Sequence, residues 1–196
     1  DFPYSSAVGA LLWITKTRPE ILFAVSQICR FNSRFNETHV KAVMRVFGYL
    51  AKYPSRAIVH PIRRDWSPSE TISVETYVDA SHADDPESRK SSYGYVVYVQ
   101  GCLISCGAKR TTHRALSSTE AEYVACSEGA REGIHVRNVL RDLELNVEPT
   151  IRLMEDNNSA IAWASNRSVN QSNKHIDLKW HYVRDLIKND EATISK

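Results

Sequence analysis

The stretch Ala115-Leu-Ser-Ser-Thr-Glu-Ala-Glu-Tyr-Val-Ala125 opens a predicted long helix and places two acidic residues in its first turns. Asp79 precedes this stretch and Asp156 follows it, and each ends a run that is typical of a β-strand. Acids supplied by two strands and a helix can hold two divalent cations about 3.5–4 Å apart for attack on a phosphodiester bond. The pattern therefore predicts a nuclease.

Helical periodicity separates the two glutamates, because each residue advances about 100° around the helix axis. One stripe, predicted to pack on a sheet, carries Glu122 with Cys126, Gly129, Gly133, Val136 and Leu140. The opposite face, predicted to meet solvent, carries Glu120 with Ser127, Arg131 and Asn138. A buried acid requires a compensating cation. Glu122 is therefore predicted to bind metal, with a buried salt bridge as the alternative.

The two strand-end aspartates have simpler structural interpretations when each is taken alone. Asp79 ends Val74-Glu-Thr-Tyr-Val-Asp79, where an aspartate often forms a turn. Asp156 precedes Asn157-Asn-Ser159, a good helix cap, so helix initiation explains it equally well. Their combination with Glu122 favours a shared metal site.

Composition limits the chain to one core, or one core with a small subdomain, since it has 196 residues of which 42% are hydrophobic. The part before Glu70 holds ten basic and four acidic residues. This excess of positive charge favours either the binding of a polyanion or ordinary helix faces exposed to solvent. The four cysteines lack paired zinc spacing and are predicted to be reduced thiols. We expect no membrane span and no signal peptide.

The order of predicted elements indicates a mixed α/β fold. Helical periodicity marks three blocks: Ser5 to Thr15, Pro19 to Phe31 and Thr38 to Tyr53. Three strands in a meander are then predicted at Val74 to Asp79, Tyr93 to Gln100 and Leu103 to Cys106. A helix from Ser118 to Leu143, a strand from Thr150 to Glu155, and helices from Asn158 to Ser165 and Asp177 to Ile187 follow.

The chain resembles the reverse transcriptase and ribonuclease H region of copia-type LTR retrotransposon polyproteins. The resemblance is carried in order by Tyr4 to Trp13, Thr17 to Val25, Tyr77-Val-Asp-Ala80, Arg89-Lys-Ser-Ser-Tyr-Gly-Tyr95, Ala115 to Ala125, Glu155 to Ile161 and Lys174-His-Ile-Asp177. It implies that residues 1–69 are a helical thumb or connection-like segment. Residues 70–196 would form a ribonuclease H-like domain with a five-stranded mixed sheet flanked by helices, stopping near its last strand.

The same resemblance implies hydrolysis of the RNA strand of RNA–DNA hybrids with two Mg²⁺ ions, or Mn²⁺ in their place. Asp79, Glu122 and Asp156 match the family's catalytic, metal-binding acids. A fourth family acid usually follows the last strand and is not found before Lys196; Asp177 is a candidate substitute, although it also suits a helix start. His175 and His181 are candidates for proton transfer or for structural hydrogen bonds.

The expected partners are the hybrid and the rest of the polyprotein, inside cytoplasmic virus-like particles of an active element. Lys109, Arg110 and Arg114 are candidate phosphate contacts, with a solvated loop as the alternative. A catalytically inactive nucleic-acid-binding or connection-like module is the main alternative function. An integrase-type transferase fits less well, because its site would end in a glutamate, whereas the order here is Asp, Glu, Asp.

Overall fold

The computed structural model describes residues 2–60, 65, 67, 69–165 and 177–196, with residues 177–181 described by their backbone. The chain divides into two compact units, Asp1–Val59 and His60–Lys196. This division falls ahead of the predicted boundary at Glu70. No helix among the described residues combines the length and the apolar character needed to cross a bilayer.

The first unit contains helices α1 (Tyr4–Ile14), α2 (Leu22–Cys29) and α3 (Glu37–Lys52), with a 3₁₀ turn at Pro19–Ile21 before α2. These elements confirm the three predicted helical blocks, although the second is divided between the turn and α2. The start of α3 is fixed by a reciprocal cap. The Asn36 side chain accepts the His39 amide at 3.2 Å, and His39 Nδ1 accepts the Asn36 amide at 3.0 Å. A separate apolar core holds the helices together.

The second unit is built on a five-stranded mixed sheet in the order β3-β2-β1-β4-β5. Its strands are β1 (Val74–Ser81), β2 (Ser92–Val99), β3 (Cys102–Arg110), β4 (Ile151–Met154) and β5 (Ala192–Ser195). The first three form the predicted antiparallel meander, whereas β4 pairs in parallel with both β1 and β5. The predicted five-stranded mixed sheet is therefore confirmed.

Strand β3 runs further than its sequence predicted. The expected strand stopped at Cys106, because the next residues are neither β-branched nor aromatic. In the structure, pairing with β2 continues to Lys109 opposite Tyr93 and Arg110 opposite Ser92. The backbone ladder thus overrides weak local propensity, and it places two basic residues on a strand.

Helix α4 (Ser118–Asp142) lies against β1 and β2, and α5 (Asn158–Ser165) and α6 (Asp177–Lys188) pack against α4. A Cβ atom at Gly129 would lie 2.3 Å from Val78 Cγ1, so the close approach predicted for the glycine stripe is confirmed. The solvent face predicted for α4 is partly wrong, since Ser127 is buried.

Candidate active site

Asp79, Glu122 and Asp156 converge at one edge of the second unit's sheet. Each offers one carboxylate oxygen, and these three oxygens lie within 4.8 Å of one another. Asp79 and Asp156 are exposed, whereas Glu122 is buried. We call these three residues the acid group. Its arrangement combines a solvent-facing opening with a buried inner carboxylate.

Strand register brings the two aspartates together. Strands β1 and β4 are parallel neighbours in which Tyr77 is paired with Met154. Asp79 lies two residues after Tyr77, and Asp156 lies two residues after Met154. Because parallel strands end at the same edge of a sheet, both carboxylates reach that edge from adjacent strands. The side chain of Asp156 lies just beyond the end of β4, where the backbone is free to turn.

Glu122 enters the acid group from the start of α4. Its residue is 8% exposed, and its Oε2 atom is buried without a hydrogen-bond partner in the described part of the chain. Burial, followed by the charges of Glu155 and Asp79, raises the pKa of Glu122 to about 8, although a hydrogen bond from the Ala80 amide lowers it. A buried oxygen with no donor is costly, so the site favours a proton or a cation at this position.

The neighbouring glutamate has a different role. Glu120 Oε2 accepts the Leu116 amide at 2.6 Å, and the Glu120 amide donates to Ser117 Oγ at 3.1 Å. The Ser117 hydroxyl thus caps the N-terminus of α4, and the Glu120 carboxylate binds the amide of the residue before the cap. Glu120 is half-buried rather than fully exposed, and its carboxylate stabilises the helix start.

Helix initiation after β4 is carried by Asn157. Its Oδ1 atom accepts the amides of Ser159 at 2.9 Å and Ala160 at 3.1 Å. The capping role that was the simpler interpretation of Asp156 therefore belongs to the next residue. Among the described residues, no hydrogen bond or ion pair engages the carboxylates of Asp79 and Asp156.

The sequence of the whole chain was compared with those of known proteins. The chain is 33% identical over 195 residues to a retrovirus-related Pol polyprotein from transposon TNT 1-94 of Nicotiana tabacum. These residues are 99% of this chain. This chain belongs to the copia-type Pol polyprotein family. It spans only 14% of the length of that polyprotein. The five-stranded mixed sheet flanked by helices that the resemblance implies is present in the second unit.

Two further similarities accompany this one. A secreted RxLR effector protein 161 from Plasmopara viticola is 36% identical over 135 residues, which are 68% of this chain and 91% of that protein. The solved structure of RNase H1 from Halobacterium salinarum has a TM-score of 0.44 and 18% identity, covering 62% of this chain and 83% of its own. No protein-family model matches the chain.

Sequence reasoning overlooked Glu155 in this Pol-family chain. The residue is 2% exposed; its Oε1 accepts the Asn157 amide at 2.9 Å and its Oε2 accepts the Cys126 thiol at 3.2 Å. Burial raises the pKa of Glu155, whereas these two hydrogen bonds lower it. The alternation of Ile151, Leu153 and Glu155 in the predicted strand Thr150 to Glu155 was the available signal, because residues two apart in a strand share a face.

The predicted basic residues of the Pol-family chain lie near the same edge but differ in their contacts. Arg110 forms an ion pair with Asp85 at 2.6 Å, and Arg114 Nε donates to the Ser88 carbonyl at 2.7 Å. Lys109 is exposed, with its Nζ atom 6.0 Å from the centre of the Tyr95 ring. Two of the three candidates are therefore engaged within the protein.

The remaining candidates are only partly described. Asp177 is the first residue of α6 and His181 lies within the same helix, but the structure describes their backbone alone. His175 lies outside the described residues. The suggested substitution of Asp177 for a fourth acid, and the two histidine roles, stay predictions.

Proposed function

We propose that this Pol-family chain is a ribonuclease H, which hydrolyses the RNA strand of RNA–DNA hybrids with the help of divalent metal ions. Asp79, Glu122 and Asp156 would hold two Mg²⁺ ions, with Mn²⁺ able to replace them. The observation that carries the proposal is the approach of three carboxylate oxygens, from two strands and one helix, to within 4.8 Å of one another. Membership of the Pol family supports it.

The chemistry of the acid group fits a hard cation. Its ligands are all carboxylate oxygens, which Mg²⁺ prefers, and it contains no thiolate or imidazole that would favour zinc. The buried Oε2 of Glu122 has no hydrogen-bond donor among the described residues. Ionisation of all three carboxylates would place neighbouring negative charges that repel one another unless a positive charge joins them. A bound cation would satisfy both requirements.

When bound, Mg²⁺ would supply positive charge that lowers the pKa of a water molecule and stabilises negative charge on the phosphate and the leaving oxygen. The protein residues would hold the ions and leave an opening for the substrate. Asp79 and Asp156 face solvent, where a polyanion can approach, while Glu122 lies behind them. Preference for RNA would come from contacts to 2′-hydroxyl groups in the shallow minor groove of the hybrid.

The first unit would correspond to the thumb or connection segment of a reverse transcriptase, and the rest of the polyprotein would be its partner. Among the described residues of this unit the exposed cations include Lys41, Arg45 and Lys52 on α3. A basic helical surface suits contact with nucleic-acid phosphates. Whether the first unit alters cleavage can be measured by comparing the full chain with residues 60–196.

The proposal is tested by incubating the chain with a hybrid whose RNA strand carries a fluorescent label, in Mg²⁺, in Mn²⁺ and in EDTA. We expect cleavage of the RNA only with metal, and a loss of at least about 100-fold in rate for Asp79→Asn. Asp142→Asn, at the far end of α4, is the matched control and should cleave normally. Absence of cleavage in both metals would contradict the proposal. Hybrid binding without cleavage would instead favour an inactive nucleic-acid-binding module.

A further inference from the structure

The loop that joins β1 to β2, residues 82–91, is organised around a buried aspartate. Asp85 is 3% exposed. Its carboxylate accepts the Ser88 hydroxyl, the Glu87 amide at 3.3 Å and an Arg110 guanidinium nitrogen at 2.6 Å. A buried carboxylate is stable only when it is paired and hydrogen-bonded, as it is here. Asp85 therefore fixes the shape of the loop and anchors it to β3.

Further bonds attach this loop to the segment that leads from β3 into α4. The Thr111 amide donates to the Ser91 carbonyl at 2.8 Å, and the Ser91 amide donates to Thr111 Oγ1 at 3.1 Å. Arg114 binds the Ser88 carbonyl at 2.7 Å. The loop is thus held along its length by residues from outside it, and its surface groups are presented from a fixed backbone.

Arg89 occupies an unusual position in this loop. Its φ angle is +54°, a left-handed conformation that residues other than glycine rarely adopt. The conformation is maintained by the Arg89 amide, which donates to the Asp85 carbonyl at 2.8 Å. A charged residue held in such a conformation by its surroundings is a reason to look for a function.

Three basic side chains lie together at the end of this loop and of β3. Arg89 and Lys109 are exposed and Lys90 is half-buried, and none of them forms an ion pair within the described residues. The exposed acids of the same loop are Asp84, near its start, and Glu87, two residues before Arg89. Positive charge is therefore concentrated at residues 89–90 and at the adjoining end of β3.

This positive charge lies at the same sheet edge as the acid group. The loop directly follows β1, the strand that carries Asp79. His82 Nε2 lies 3.0 Å from the Ala115 carbonyl, which joins the loop to the segment leading to α4 and Glu122. A polyanion held at the acid group would therefore have the basic end of the loop beside it.

We propose that Arg89, Lys90 and Lys109 contact the phosphodiester backbone of nucleic acid bound at the acid group, and that Asp85 is the positioning residue for this contact. The inference rests on the proposed function and assigns the substrate-binding surface beside it. Arg110, predicted from sequence as a phosphate contact, instead holds Asp85. The contact is electrostatic and independent of base sequence.

The test is fluorescence anisotropy of a labelled RNA–DNA hybrid, titrated with the full chain in EDTA at several salt concentrations. Arg89→Asn removes the charge while keeping a residue that tolerates the left-handed conformation. We expect roughly three- to tenfold weaker binding and a slope of log Kd against log salt that is smaller by about 0.9. Arg141→Asn, in the last turn of α4, is the matched control and should change neither quantity.

The double variant Asp85→Asn/Arg110→Gln, which leaves the net charge unchanged, is the second variant, measured together with its melting temperature. We expect a smaller salt slope than that of the unaltered chain, an effect that loss of stability alone would not produce. Unchanged affinity and slope in Arg89→Asn would overturn the inference, as would no binding of the hybrid by the unaltered chain. Because binding is measured without metal, failure of cleavage would refute the proposed function and leave this result intact.

Discussion

The thiol of Cys126 donates a hydrogen bond to Glu155 Oε2 over 3.2 Å, and both residues are almost completely buried. Cys126 lies one helical turn after Glu122, and Glu155 immediately precedes Asp156. The bond therefore joins the helix and the strand that supply two members of the acid group. Burial raises the pKa of the Cys126 thiol, so it remains a protonated donor at neutral pH.

Loss of this donor should destabilise the second unit. Cys126→Ala leaves the Glu155 oxygen buried without its partner, and we expect the free energy of unfolding to fall by about 1–3 kcal/mol. Cys126→Ser keeps a donor and should lose less. Urea denaturation measures both, with Cys102→Ala on the edge strand β3 as the control. Equal losses in the alanine and serine variants would show that packing, rather than the hydrogen bond, stabilises this position.

The stability of the metal-free protein should fall as pH rises. The pKa of Glu122 is raised to about 8 in the folded chain, from a model-peptide value near 4.5. The folded state therefore binds more protons than the unfolded state between these values, and the free energy of unfolding decreases from about pH 4.5 to pH 8. Urea denaturation in EDTA across this range checks the slope. Glu122→Gln should flatten it, and an unchanged slope in that variant would exclude Glu122 as its source.

Metal binding near neutral pH should release a proton. Glu122 is largely protonated at pH 7 without metal, whereas a metal ligand must be ionised. Calorimetric titration of Mn²⁺ in buffers of different ionisation enthalpy should give close to one proton released per chain at pH 7, and fewer at pH 9. Asp156→Asn should weaken Mn²⁺ binding by about tenfold or more. Proton release that does not depend on pH would contradict this assignment.

Helix α4 should tolerate no side chain at Gly129. A Cβ atom there would lie 2.3 Å from Val78 Cγ1, so Gly129→Ala should cost about 1–3 kcal/mol by forcing the helix away from β1. Gly48 in α3 is the matched control, since a Cβ atom there meets nothing within 4 Å. Gly48→Ala should stabilise the first unit by about 0.5–1 kcal/mol. Thermal unfolding of both variants provides the measurement, and a neutral Gly129→Ala would contradict the close packing.

Local periodicity was sufficient to predict most of the fold and the inward direction of Glu122. The 3.6-residue repeat of α4 identified its sheet-facing stripe because glycine and apolar residues recur on it. The same repeat misplaced Ser127, which is buried although the wheel puts it opposite the sheet-facing stripe. A helical wheel uses the sequence of one helix only, so it contains no information about the elements that pack on the face opposite the sheet.

The roles of Arg110 and Arg114 depended on partners that are distant in sequence. Their bonds to Asp85 and to the Ser88 carbonyl span 25 and 26 residues. The sequence alone does not distinguish a basic residue that contacts phosphate from one that binds a neighbouring loop of the same protein. Glu155 was overlooked for a related reason, because its neighbour Asp156 carried the recognisable motif.

We propose that Asp79, Glu122 and Asp156 form one metal centre. The most direct measurement is anomalous X-ray diffraction from crystals of the chain soaked in Mn²⁺, with crystals of Asp79→Asn treated identically. We expect anomalous peaks within coordination distance of all three carboxylates in the unaltered chain, and their loss or weakening in the variant. Manganese peaks elsewhere on the chain, with none between these three residues, would contradict it.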